Sequence, residues 1–134
     1  MVRQFPIGPL HPLSQEELLS PEAPKGMTSA YKHLENARPL LYSIFRGKDS
    51  LLILRRIRDS NAKEIEASLR AAFTDVESKI PLDVLANYLA GAQIALVHWW
   101  LEKRQPHTLE NLVQIFHRLQ RATILEAFEL KDPE

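Results

Sequence analysis

His98 and Glu102 stand four residues apart at the end of a long apolar run. On a helix that spacing puts an imidazole and a carboxylate on one face, a start towards a divalent-metal site. A third ligand would have to be His117. If two helices join as an antiparallel hairpin here, His98 falls level with Val113 or Gln114, which leaves His117 about one turn too far along. We therefore expect no metal, with His98 hydrogen-bonded or facing a helix seam. His33 and His107 read as ordinary surface histidines. Glu16 and Glu17 lie in a proline-rich stretch, a poor platform for acid–base chemistry. No nucleophile elbow, phosphate loop or dinucleotide fingerprint occurs. The expectation is a chain that is not an enzyme, with no catalytic residue and no cofactor.

Aromatic side chains suggest binding instead. Tyr42, Phe45, Tyr88, Trp99 and Trp100 can line a cavity for a small apolar or aromatic effector, or they can fill the core. Helical spacing nominates Leu54, Ile57, Leu85, Tyr88 and Leu89 as the lining. Tyr88 stands out because a buried hydroxyl needs a partner.

The 134 residues fit one domain with a real core. Lys plus Arg and Asp plus Glu number 17 each, a balance that speaks against binding DNA. The cluster Arg55, Arg56 and Arg58 reads as a solvated helix face. With no cysteine, disulfides and thiolate zinc sites are excluded, which is compatible with a cytoplasmic location. No basic-then-apolar leader opens the chain.

Five of the nine prolines fall in residues 1–27, so this segment reads as an extended arm or disordered tail. Only residues 14–19 can form a turn of helix, with Ser14 as N-cap and Glu17 completing a capping box. Residues 28–134 read as an all-helical domain. A first helix is expected from Thr28 or Ser29 to about residue 36, interrupted by Pro39. A second spans 39–46 and stops at Gly47. A long amphipathic helix covers 49 or 50 to about 73. Helices over 81–104 and 108–130 follow, opened by Pro81 and capped by Thr108. No strand-like alternation appears. The expected fold is an antiparallel helical bundle ending in a two-helix dimerisation hairpin.

Residues 84–101 carry no charged side chain. Eighteen residues reach the lower edge of a membrane span, but Asn87, Gln93 and His98 lie inside and acids border both ends. We expect a soluble core helix and no membrane. A helical wheel separates one apolar face with Leu85, Tyr88, Leu89 and Trp99 from an opposite one with Ala90, Gly91, Ile94, Val97, His98 and Leu101. The chain's own helices can cover one face. A second copy is expected to cover the other, with Ile115 and Ala122 joining from the last helix. Gly91 and Ala95 are small enough for close approach. The alternative is a monomer that wraps both faces.

The run IPLDVLANYLAGAQIALVHWWLEKRQPHTLENLVQIFHRL, residues 80–119, resembles the C-terminal regulatory domain of TetR/AcrR-type transcriptional regulators. The shared pattern is a proline-opened helix, a Leu-Ala-Gly-Ala centre, a Trp-Trp-Leu-Glu end, a Pro-containing loop and a closing helix with Phe-His-Arg-Leu. YKHLENARPLLYSIFRG and LLILRRIR upstream resemble that family's middle helices, so the likeness covers about residues 28–125. It implies dimerisation through the last two helices and an effector pocket in the helices before them. The helix-turn-helix head is missing, because the prolines of residues 1–27 prevent a three-helix unit. The chain alone is expected not to bind DNA. A ligand-independent interaction module, homodimeric or paired with a full-length regulator, is the other reading.

Overall fold

The computed structural model describes residues 13–102 and 107–131. Its described residues are helical and contain no strand. Six helices follow in order: α1 Gln15–Leu18, α2 Lys25–Asn36, α3 Arg38–Arg46, α4 Ser50–Ala72, α5 Leu82–Glu102 and α6 Leu109–Ala127.

Local chemistry sets the helix ends. Ser14 and Glu17 cap α1 reciprocally: the Glu17 amide donates to Ser14 Oγ at 3.1 Å and the Ser14 amide to Glu17 Oε1 at 3.1 Å. α2 opens at Lys25, earlier than Thr28, because extended Pro24 serves as its N-cap. Pro39 sits in the first turn of α3, where its missing N–H is harmless. Thr108 caps α6 by accepting from the Asn111 amide at 3.1 Å. The expected end of the long helix at residue 104 lies outside the described residues.

α5 runs through the middle. Its densest packing is against α4, whereas α6 packs most densely on α2. α6 also returns along α5. Ile124 and Ala127 share a core with Leu85, Ala86 and Leu89, and Leu109, Val113 and Phe116 share another with Val97, Trp100 and Leu101. The Arg38 guanidinium carbon lies over the Trp100 ring, 4.3 Å from its centroid.

The segment 13–24 departs from the expected loose arm, while residues 1–12 lie outside the described part. Leu13 and Leu18 are buried in the core that holds Leu69, Leu89 and Ile124. α6 holds the segment's backbone. Arg121 Nε donates to the Leu19 carbonyl at 2.8 Å, His117 Nε2 to the Ser20 carbonyl at 2.7 Å, and the Ala23 amide to Gln114 Oε1 at 2.9 Å. Proline limited helix in this stretch to the single turn of α1 without preventing the burial of Leu13 and Leu18.

α5 is the one helix among the described residues long and apolar enough to cross a membrane. Nearly half of its apolar window is buried against the rest of the chain.

Candidate functional site

The bare surface of α5 differs from the one the wheel suggested. Its buried residues are Leu85, Ala86, Leu89, Ala90, Gln93, Val97, Trp100 and Leu101. At 100° per residue they form one arc centred near Gln93, turned about a quarter of a circle from the expected division. Val97 is only 2% exposed. Ala90, Val97 and Leu101 are therefore covered by the chain's own helices, and the need for a second copy does not extend to them. Ile94 is half-buried against the same core.

What remains open is a stripe of Val84, Tyr88, Gly91, Ala95 and Trp99, spaced so that all five share one side of the helix. Tyr88 is 63% exposed and Val84 56%. A methyl group added at Gly91 would meet nothing within 4 Å. Beside the stripe, Leu51, Leu54, Arg55, Arg58, Gly91, Ile94 and Ala95 line an open groove of about 410 Å³ between α4 and α5. On α6, Ile115, Leu119 and Ala122 are exposed at helical spacing. Of the residues expected at a dimer seam, Gly91, Ile94, His98, Ile115 and Ala122 keep some accessible surface.

The expected effector lining does not converge. Ile57 belongs to one core cluster and Leu85 to the other. Leu54 borders the outer groove, Tyr88 points outward, and Leu89 alone reaches an internal cavity. That cavity, about 20 Å³, is lined by Leu13, Leu18, Met27, Ile65, Ser68, Leu69, Leu89, Gln93, Gln120 and Ile124. It is large enough for one water molecule. A second, of about 10 Å³, lies on the other side of Gln93, next to Tyr31 and Phe116.

Polar groups mark this interior. Gln93 Nε2 donates to the Tyr31 hydroxyl, and both residues are buried. Burial pushes the Tyr31 phenol well above its usual range, against a smaller lowering by the Gln93 bond. Gln93 Oε1 has no hydrogen-bond partner. His117 is fully buried, and its Nδ1 is also without a partner. Desolvation lowers its pKa, partly offset by the Ser20 carbonyl, with the Arg121 charge adding to the lowering. The sequence reading gave Gln93, Gln120 and the 13–24 segment no role. Gln93, a polar residue at the centre of the uncharged run 84–101, was the available signal.

The candidate metal pair stays together, and the third ligand it would need is engaged elsewhere. His98 Nε2 lies 3.0 Å from Glu102 Oε1, and its ring stacks on Phe45 at 5.0 Å between centroids. His117 instead binds the arm. No three His, Asp or Glu residues converge on a metal-sized site among the described residues.

No protein-family model, curated protein or solved structure matches this chain.

Proposed function

We propose that this chain is the effector-binding and dimerisation domain of a TetR-type regulator, acting in the cytoplasm. The observation that carries the dimer is the bare stripe of Val84, Tyr88, Gly91, Ala95 and Trp99, within the uncharged run 84–101 of α5. A contiguous apolar stripe of this kind marks an interaction surface. A second copy suits it because open space over Gly91 lets an identical helix come close, and a two-fold contact needs only one self-complementary patch. The outer residues of α6, Ile115 and Ala122, extend the seam. The resemblance of residues 80–119 to the regulator family supports the same assignment.

Sedimentation equilibrium tests it. The wild type is expected to be a dimer at micromolar concentration, and Tyr88→Glu and Gly91→Glu monomeric with unchanged helix content. A monomeric wild type at tens of micromolar removes the dimer half. The small internal cavities favour a second reading, a ligand-independent module that pairs with a full-length regulator. A thermal-shift screen with apolar compounds separates the two: selective stabilisation favours the sensor, while none, together with mixed dimers, favours the module.

A further inference from the structure

We propose that the segment Leu13–Pro24 is an intramolecular plug, and that a neutral amphipathic small molecule with a hydroxyl head and a short apolar body competes with it for the centre of the bundle. The proposal rests on the effector-binding half of the reading above and is independent of the dimer.

The cavity is mostly apolar, yet one polar atom of its lining lacks a partner. The cavity's floor carries three polar side chains, Ser68, Gln93 and Gln120, each at least nine-tenths buried. Its cover includes two leucines, Leu13 and Leu18, from the N-terminal segment. The rest of the lining is mostly apolar, and of its three polar side chains Gln93 is the one left with an atom, Oε1, that has no partner. Burying such an atom is unfavourable. A ligand hydroxyl can donate to Gln93 Oε1 while its alkyl body takes the place of leucine side chains against Met27, Ile65 and Leu69. The class follows: a donor at one end, no net charge, and a body about the size of the leucines it replaces.

The cover is built to leave. α1 has four residues, too short to hold itself as a helix. Its link to α2 passes through exposed Pro21 and Glu22. Side chains of Arg121, His117 and Gln114 supply the bonds that fasten its backbone to α6. Water can replace each of those bonds on release. With the segment in place the cavity holds only about 20 Å³, so an organic ligand cannot enter until the leucines withdraw.

Two isomeric probes test this on the full chain: 1-hexanol, which has an O–H, and butyl ethyl ether, which does not. Backbone NMR follows the Glu17, Leu18 and Leu19 amides during titration. For 1-hexanol these signals are expected to move towards unfolded positions as binding saturates. Leu13→Ala/Leu18→Ala raises the open fraction, so it is expected to bind 1-hexanol about tenfold more tightly or better. The wild type is expected to prefer the alcohol to the ether by about fivefold, from the hydrogen bond gained. Gln93→Leu is expected to erase that ratio, which a mere loss of stability would not do. Saturation with unmoved arm signals, unchanged affinity in the loosened variant, or an unchanged ratio in Gln93→Leu overturns the plug. Binding by neither form overturns the plug and the effector reading together. A monomeric wild type leaves both standing.

Discussion

Gln93 already leaves one amide atom unpartnered, so the Tyr31 hydroxyl is the group that keeps the other satisfied. Tyr31→Phe would strand the whole amide at little change in shape. Urea unfolding should show a loss of about 1–3 kcal/mol. Adding Gln93→Leu to Tyr31→Phe should recover much of it, because paired removal leaves no orphan; equal or greater loss in the double variant would place the cost elsewhere. His117 makes a pH-dependent prediction from the same logic. Its Nε2 proton goes to the Ser20 carbonyl, so a second proton must go to buried, unpartnered Nδ1. Burial therefore holds the folded pKa below the ordinary imidazole value of 6.5. Between the two values the unfolded chain binds more protons, so stability rises with pH. The stability contribution is complete above about pH 6.5 and is lost as pH falls from there through the folded pKa. The slope from this one group is bounded at about 1.4 kcal/mol per pH unit. Denaturant titrations across that window should flatten in His117→Gln.

At the scale of the helix, Gly91 lies mid-α5 with open space where its side chain would be. Gly91→Ala should stabilise the dilute chain by about 0.5–1 kcal/mol, since alanine gives up less backbone freedom in a helix interior. A loss of stability at low concentration would mean that something already occupies that space in the monomer. The same helix shows how far the sequence could be read. The existence of α5, its opening after Pro81 and the Thr108 cap of α6 all follow from local signals, and the all-helical class with them. The phase of α5 does not. Apolar residues surround it, so no direction stands out on the wheel, and neighbours alone decided that Ala86 and Gln93 face in while Tyr88 and Trp99 face out. The proposed site inherited that ambiguity, which is why the expected effector residues scatter. The arm was illegible for a different reason. Proline count reports on helix formation, whereas the burial of Leu13 and Leu18 depends on α6 side chains about a hundred positions later.

For the molecule as a whole, the two adjacent tryptophans provide separate reporters. Trp100 is buried under Arg38 and donates its indole N–H to the His107 carbonyl at 3.2 Å. Trp99 is 38% exposed on the bare stripe. Association through that stripe would take Trp99 out of water and leave Trp100 where it is. Emission should therefore shift to shorter wavelength as protein concentration rises through the dimer dissociation constant. Trp99→Phe should abolish the shift, and Trp100→Phe should retain it if the fold survives. Mass action adds a second readout, because a dimer linked to folding makes the melting temperature rise with concentration. Tyr88→Glu places a carboxylate in the middle of the bare stripe. It should leave a melting temperature that concentration does not move, with Trp99 emission fixed at the solvated wavelength. Concentration dependence that survives Tyr88→Glu would move the centre of the contact off α5, with the α6 part of the proposed seam, at exposed Ile115 and Leu119, as the next to test. Independence in the wild type would leave the stripe bare in solution.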